Sequence, residues 1–186
     1  MFAFPASANT AEYFVSENGT GLSAHITLVN QSEFYLVKPG IFGSDEPLKV
    51  DELSLKDAEG NDIDYKQSDY TLKFEKGNYT LVYKSKITDN LIYAKYPDKY
   101  NVTAFIPKQF NTGHLILGTV STGGVITELT SGHAVSYIGT KAISITFFDA
   151  NRPLILYLFL GIWAVVMIVV LVRHQILKKR VRKINE

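Results

Sequence analysis

The sequence predicts a mainly β domain, an antiparallel β-sandwich or open barrel, followed by one transmembrane helix near the C-terminus. Three observations predict it: period-two alternation of apolar and polar residues between Asn9 and Asp149, frequent Gly and Pro, and an uncharged apolar run at residues 153–172. Alternation places every second side chain on one face of a strand. Many short strands with frequent turns are typical of sandwiches and barrels.

The chain begins with MFAFPASANT, which resembles the end of an export signal. Ala6-Ser7-Ala8 fits a small-residue cleavage site, and the phenylalanines before it fit the end of an apolar region. A basic n-region is missing, and the apolar stretch is short. We interpret residues 1–8 as the remnant of a signal peptide that is cleaved after Ala8. The alternative is that the C-terminal span itself directs insertion.

The clearest predicted strand of the extracytoplasmic domain, residues 9–149, is Gly21–Asn30. Leu22, Ala24, Ile26 and Leu28 alternate there with polar residues, as in a half-buried strand. Residues 70–87 are predicted to form a hairpin that turns at Lys76-Gly77-Asn78, a Gly-Asn signal. Further strands are predicted at residues 11–15, 34–37, 48–55, 91–95, 99–106, 115–120, 124–129, 133–138 and 141–148, with breaks at Pro39-Gly40, Gly123-Gly124 and Gly139.

The apolar run Pro153–Val172 is 20 residues long and carries no charge. At 1.5 Å per residue, a helix of this length spans about 30 Å, the thickness of a hydrocarbon core. The buried core helix of a soluble protein is the alternative, but such a helix is rarely apolar all round for this length. The sequence therefore predicts that residues 153–172 cross a lipid bilayer.

The orientation of the span follows from the basic residues beside it. Basic residues near a span favour the cytoplasm, which predicts a single-pass protein of the cell membrane with its N-terminal domain outside and residues 173–186 as a cytoplasmic tail. Only Ala150, Asn151 and Arg152 separate the end of the predicted β-domain at Asp149 from the span, so we expect the domain to lie close to the membrane. The basic flank consists of Arg173, Lys178, Lys179, Arg180, Arg182 and Lys183.

Composition excludes several classes of function. Outside the basic tail, residues 1–172 carry 13 basic and 17 acidic residues, a balance that argues against nucleic-acid binding. The absence of cysteine excludes disulfides, thiolate zinc sites and cysteine nucleophiles. A small surface domain without disulfides is more typical of prokaryotes or archaea than of animals.

The acidic segment KDAEGNDIDY has some features of a calcium-binding loop. Asp57, Glu59, Asp62 and Asp64 supply carboxylates, but an EF-hand loop needs Gly at its sixth position and Glu at its twelfth. Gly60 is fourth from Asp57, and the twelfth residue is not Glu. We therefore predict a hairpin turn at this segment.

The remaining polar motifs do not predict a catalytic or cofactor site. His25, His114 and His133 lack the spacing of a metal site, and the latter two, each after a Gly, are predicted to be turn histidines without a partner. The segment Ser121–Gly124 lacks the Lys of a phosphate-binding loop and is predicted to link two strands. No nucleophile elbow is present, so we expect a chain without enzymatic activity, cofactor or metal.

Four Asn-x-Ser/Thr sequons lie before the span, at Asn18, Asn30, Asn78 and Asn101. Each is predicted at or near a turn or strand edge, where a glycosylation system reaches it. Their position on the proposed outer side predicts a glycoprotein if the source is archaeal or eukaryotic.

Aromatic residues are frequent, with eleven Tyr and eleven Phe. Most are explained by strand composition, since aromatic side chains favour half-buried pleated surfaces. Tyr93, Tyr96 and Tyr100 lie close together near a Pro, and we consider them as an exposed patch for a partner or a glycan.

The C-terminal half resembles a known class of proteins. The order Tyr100–Pro107, then Gly123-Gly124, then Ile143–Phe148 and an immediate span with a basic tail is similar to uncharacterised archaeal single-span surface proteins with a domain of unknown function. The motifs are alternating apolar positions with a few Gly and Pro. The resemblance implies no activity and no site residues.

Three functions remain open. The first is a non-catalytic, membrane-anchored interaction module, for example an accessory subunit that binds the bilayer and other membrane-protein subunits. The second is a ligand- or glycan-binding adhesion domain, and the third is an anchored hydrolase. An exposed apolar patch continuous with one face of the span favours the first function. An aromatic groove at Tyr93, Tyr96 and Tyr100 favours the second, and a buried cleft that joins His114 or His133 to carboxylates favours the third.

Overall fold

The computed structural model describes residues 8–114 and 116–184, apart from the side chains of Phe42 and residues 175–184. The predicted signal remnant lies, except for Ala8, outside these residues. The chain divides into a β unit that ends at Ala150 and a helical unit that begins at Asn151.

The described elements are β1 (Thr10–Val15), β2 (Gly21–Tyr35), β3 (Val37–Pro39), a 3-10 helix (Ile41–Gly43), β4 (Asp45–Pro47), β5 (Val50–Lys56), β6 (Tyr65–Gln67), β7 (Thr71–Lys86), β8 (Leu91–Pro107), β9 (Phe110–Asn111), β10 (Val125–Leu129), β11 (Gly132–Thr146), β12 (Phe148–Asp149) and α1 (Arg152–Ile184).

The main sheet is open and mixed, with the strand order β10-β11-β8-β1-β2-β7-β5 and β6 paired to β7. Strands make up 59% of the chain, so the predicted mainly β fold is confirmed. The pairs are antiparallel with one exception: β1 runs parallel to β8, with Thr10 opposite Asn101. The predicted antiparallel sheet is therefore mixed. β1 lies between its hairpin partner β2 and the much later strand β8, to which it is parallel.

Two long ribbons, β2 with β7 and β8 with β11, form most of the sheet. Each ribbon has register shifts in its middle, beside Asn30 (φ 57°) in β2 and beside Gly139 (φ 62°) in β11. Extra residues at such bulges bend a strand without ending it. The bends explain how a single sheet curves around its own core.

Four predicted breaks or strands are wrong, the first three because strands continue through these bends. The expected hairpin turn at Lys76-Gly77-Asn78 lies inside β7, where Gly77 pairs with Gln31. The expected break at Gly139 lies inside β11, and the two strands expected at 91–95 and 99–106 are one strand, β8. The strand expected at 115–120 is absent from the described residues of that segment, which form a loop with isolated bridges such as His114 to Gly118.

The core lies on the concave face of the curved sheet. Tyr13 on β1 pairs with Ala104 in the later half of β8, while the Tyr13 hydroxyl meets that of Tyr96 in the earlier half. The earlier half of β8 therefore folds back over β1. Both halves of each ribbon contribute buried side chains, including Ile26, Leu28, Phe34, Leu72, Leu81, Ile92, Val102, Val135, Ile143 and Ile145.

The helix α1 is longer than the predicted span, since it continues beyond Val172 to Ile184. Its segment Arg152–His174 is apolar and long enough to cross a membrane. Most side chains of this segment are exposed, and none within the apolar window is buried.

Candidate interaction surface

The predicted aromatic patch does not form, because two of its three tyrosines belong to the core. Tyr96 is 3% exposed and Tyr100 is 0% exposed, with their rings stacked at 4.5 Å between centroids. Tyr93 points to the opposite face of β8, as period-two alternation requires. The prediction that Tyr93, Tyr96 and Tyr100 form an exposed patch is therefore wrong. Tyr96 and Tyr100 serve the packing of the core.

The core tyrosines share a small hydrogen-bond network. The Tyr96 hydroxyl donates to Tyr13 Oη at 3.0 Å, and Tyr83 belongs to the same buried cluster. Burial is the main cause that raises the pKa of each of these three phenols well above 10. The Tyr100 hydroxyl has no partner within the described part of the chain, although it is buried. Such hydroxyls stay protonated at neutral pH, so this network is a structural one.

Tyr93 instead joins a polar contact that holds the β3–β4 ribbon. Its hydroxyl donates to Asp45 Oδ1 at 3.2 Å, and Lys95 Nζ donates to Asp45 Oδ2 at 2.7 Å. The hydrogen bond to Asp45 raises the pKa of Lys95. A cavity of about 360 Å³ lies beside this ribbon and the β7–β8 turn, and Lys38, Lys86, Glu46 and Asp89 contribute both signs of charge to its lining. The balanced charge selects neither an anion nor a cation.

The two histidines that follow glycines have partners, so the expectation of unpartnered turn histidines is wrong. His133 lies on β11, and its Nε2 is 2.7 Å from Asn111 Oδ1. His114 lies in a turn, where its Nδ1 accepts the backbone N–H groups of Ile116 and Leu117. Within residues 8–114 and 116–184, no group of three or more His, Asp or Glu could hold a metal ion.

Two loops have the structural roles predicted for them. Asp57 accepts hydrogen bonds from the backbone and side-chain amides of Asn61, and Gly60 has φ 86°, so the acidic segment is a turn. Ser121 Oγ bonds to the Tyr137 hydroxyl at 3.0 Å and accepts the Ser144 N–H. Ser121 therefore fixes its loop to β11.

The sequon asparagines support irregular backbone. Asn18 Oδ1 accepts an N–H from two residues further on in the β1–β2 turn. Asn78 Oδ1 accepts the N–H of Asn30 at 2.8 Å, beside the β2 bulge, and Asn101 Oδ1 accepts the N–H of Gly139 at 3.0 Å, beside the β11 bulge. Asn18, Asn30 and Asn78 are exposed and Asn101 is half-buried. Sequence reasoning missed these roles because the bulges depend on pairing across the sheet.

The convex face of the sheet carries a row of neighbouring side chains, which we call the outer row: Phe14, Phe105, Ala134 and Thr127. Each member lies directly opposite the next, on β1, β8, β11 and β10 in turn. The rings of Phe14 and Phe105 stack at 4.9 Å between centroids, although Phe14 is 37% exposed. A shallow cavity of about 160 Å³ connects these rings to Leu129 of β10. The outer row thus leads from the exposed Phe14 ring and the half-buried Phe105 ring to the edge of the sheet.

The edge strand β10 carries three exposed apolar side chains among its five residues. Val125 is 64% exposed, Ile126 is 40% exposed and Leu129 is 42% exposed. The strand pairs only with β11, and within the described residues no backbone hydrogen bond covers its other side. Natural edge strands are usually protected by charges, Pro or bulges. Glu128 is the one charged residue of β10, so this edge is open to a further strand.

The opposite edge, β5, is protected. A bulge at Glu52 (φ 52°) interrupts its register with β7, and Asp51, Glu52 and Lys56 are charged and exposed. The segment after the β5 turn covers its free side, because Ile63 donates its N–H to the Leu55 carbonyl. Because β5 is protected and β10 is open, β10 is the candidate interaction surface.

The predicted basic flank is helical in its backbone. Arg173 lies in α1 near the end of the segment that could cross a membrane. The other five basic side chains of the flank, at Lys178, Lys179, Arg180, Arg182 and Lys183, lie outside the described side chains.

Comparison with protein families identifies the chain. The model of a family of unknown function, DUF5803, matches residues 7–186. The chain belongs to this family. The match confirms the predicted resemblance to proteins with a domain of unknown function, while an archaeal source stays a prediction. The match extends from β1 through α1, so it covers both the β unit and the helix.

Further comparisons do not assign an activity to this DUF5803 chain. No curated protein matches it in sequence. Two crystal structures of an M1 zinc metallopeptidase mutant from Deinococcus radiodurans, one bound to a Tyr-Ser-Ala substrate, are similar with 12% identity and a TM-score of 0.41. The likeness covers 77% of this chain and 44% of theirs, so the chain spans less than half of their length. At this level of similarity, neither their activity nor their zinc chemistry is carried over.

Proposed function

We propose that the chain is a non-catalytic, membrane-anchored interaction module that presents its β domain on the extracytoplasmic side. The exposed apolar edge β10 carries the proposal, because monomeric proteins rarely leave such an edge uncovered. β-Strand addition to an open edge is a common mode of protein recognition. The outer row supports the proposal, because the stacked rings of Phe14 and Phe105 lie on the same face of the sheet as Thr127 of β10.

The anchor and its orientation complete the proposal. The segment Arg152–His174 has the length and composition of a span, and its C-terminal side is the basic one. The positive-inside rule then favours a cytoplasmic tail and an outer β domain in the cell membrane. An export signal at the N-terminus is consistent with this topology. So are an archaeal source and glycosylation of the exposed sequons Asn18, Asn30 and Asn78.

The two other functions have less support. The glycan-binding alternative depended on an aromatic groove at Tyr96 and Tyr100, and both rings are buried. The hydrolase alternative required a histidine beside carboxylates. Glu17 and His133 line the same shallow cavity, but the Nε2 of His133 bonds to Asn111 and no catalytic hydrogen bond joins the two residues among those described.

Size measurement of the full chain in mild detergent tests the interaction. We expect wild-type protein from its native membrane to elute in a complex, and we expect Val125→Glu to release it, because a carboxylate on the free edge opposes apolar contact. Ile138→Glu is the matched control, since Ile138 is 86% exposed but lies at the bend of β11. A wild-type protein that elutes alone as a monomer would overturn the proposal.

Protease treatment of sealed vesicles tests the orientation. In vesicles with the outer face exposed, the β domain should be accessible and an epitope after Glu186 should be protected. Inverted vesicles from the same cells provide the control and should show the reverse pattern. Protection of the β domain in the first preparation would contradict the proposed topology.

A further inference from the structure

We propose that the partner at β10 is a second copy of the same chain, joined by antiparallel pairing of the two β10 strands around a two-fold axis at Thr127. The inference rests on the proposed function and names the partner that the edge selects. Two-fold pairing of one edge strand with its own copy is an isologous interface, in which the same residues serve both sides.

The sequence of β10 is self-complementary in this register. With Thr127 opposite Thr127 of the other copy, Val125 lies opposite Leu129, and Ile126 lies opposite Glu128. All five residues of the strand are paired, and Val125 and Leu129, on the same face as Thr127, meet each other across the axis, while Ile126 lies on the other face. Threonine pairs and apolar pairs are among the favourable cross-strand neighbours. A register centred on Glu128 would instead place two carboxylates opposite each other.

The register also aligns the outer rows of the two copies. Thr127 is the last member of the outer row, after Phe14, Phe105 and Ala134. Pairing at Thr127 therefore joins the two rows into one continuous row with aromatic rings on both sides of the axis. The exposed faces of Val125 and Leu129 flank this row and lose contact with water in the pair.

The protected edge β5 explains why the assembly closes at two copies. Growth beyond a dimer requires a second free edge, and β5 is covered by the segment at Ile63 and interrupted by the bulge at Glu52, while the other edge strand, β6, is three residues long. An isologous pair uses the β10 edges of both copies for each other, so it closes without forming a fibre. Confinement to a membrane further raises the effective concentration of one copy near another.

Cysteine cross-linking in native membranes tests the register directly. The chain has no cysteine, so a single introduced thiol is its only one. Residues directly opposite in an antiparallel pair have Cα atoms about 4.5–5.5 Å apart, within the range of a disulfide. We expect full-length Thr127→Cys, oxidised with copper phenanthroline and oxygen, to form a disulfide-linked dimer.

Val125→Cys is the matched control, because Val125 lies on the same strand and face. In the proposed register, the two copies of Val125 lie about 13 Å apart, since each faces Leu129 of the other chain. We expect its disulfide to form at least about tenfold more slowly. Equal cross-linking of both variants, or none at Thr127→Cys, would overturn the inference.

Thr127→Lys gives a second measurement that does not depend on thiol chemistry. Two ammonium groups across the axis repel, so we expect the dissociation constant of the dimer, measured by energy transfer between labelled chains in vesicles, to rise by about tenfold or more. The circular dichroism spectrum confirms that the variant is folded. A folded Thr127→Lys protein that dimerises like the wild type would contradict the inference.

The outcomes separate this inference from the proposed function. A wild-type complex that contains a different chain, depends on Val125 and gives no Thr127→Cys disulfide would refute the dimer and retain the interaction module. A monomer in every preparation would refute both.

Discussion

Two stacked tyrosines in the core differ in the surroundings of their hydroxyl groups. The hydroxyl of Tyr96 donates to Tyr13, whereas that of Tyr100 is buried without a partner among the described residues. A buried hydroxyl costs free energy unless a hydrogen bond compensates for its lost water. The hydroxyl group therefore stabilises the fold at Tyr96 and destabilises it at Tyr100.

Removal of the two hydroxyls should have opposite effects. We expect Tyr100→Phe to raise the free energy of unfolding by about 1 kcal/mol, because it removes an unpaired polar group. Tyr96→Phe should lower it by about 1–2 kcal/mol, since it leaves the Tyr13 hydroxyl with one partner fewer. Urea unfolding of the full chain in detergent, followed by near-UV circular dichroism, measures both. Equal destabilisation by the two variants would contradict this assignment.

At the scale of elements, the strand bulges decide which features the sequence could predict. The alternation of Gly21–Asn30 and the apolar run before Arg173 are local patterns, and both correspond to observed elements. Gly77 and Gly139 have the local pattern of turns but lie inside strands, because pairing across the sheet holds the backbone there. The open edge β10 was also not predictable, since the position of a strand in a sheet depends on contacts distant in sequence.

Gly132, at the start of β11, is a position where only glycine fits. Its φ is 145°, and a Cβ atom there would lie 2.1 Å from the Ile106 carbonyl oxygen. We expect Gly132→Ala to lower the free energy of unfolding by about 3 kcal/mol or more, because backbone must move and an unfavourable φ remains.

Gly60→Ala is the control for the contribution of φ alone. Gly60 has φ 86° and nothing within 4 Å of the added Cβ, so the loss should be about 1 kcal/mol. Thermal unfolding of the two variants and the wild type gives the comparison. A smaller loss at Gly132 than at Gly60 would show that β8 does not approach β11 as described.

At the scale of the whole molecule, a core rich in tyrosine makes the β unit sensitive to alkali. Burial raises the pKa of Tyr13, Tyr83 and Tyr96 above 10, while an unfolded chain ionises its tyrosines near pH 10. Below about pH 10 both states keep these protons, and the stability is fully present. Above it, the unfolded state loses protons first, so the free energy of unfolding falls as pH rises toward the folded pKa values.

We therefore expect cooperative unfolding above about pH 10, with tyrosinate absorbance rising in the same transition as the loss of circular dichroism. Tyr13→Phe should reduce the dependence on pH by up to about 1.4 kcal/mol per unit. Tyr70→Phe, at an exposed turn, serves as the control, because it removes a hydroxyl that lies outside the core. Gradual ionisation of all tyrosines without unfolding would contradict a buried network.

The parallel pair of β1 and β8 has a consequence for the order of events during synthesis. β1 can form its hairpin with β2 early, but its other side waits for β8, since Thr10 pairs with Asn101. Until then the hairpin exposes Tyr13 and Ile26, which are buried in the finished sheet. Non-local pairings of this kind form slowly and leave unpaired edges exposed on the way. During synthesis, the exposed β1–β2 hairpin must therefore stay free of aggregation until the ribosome has released the middle of the β unit.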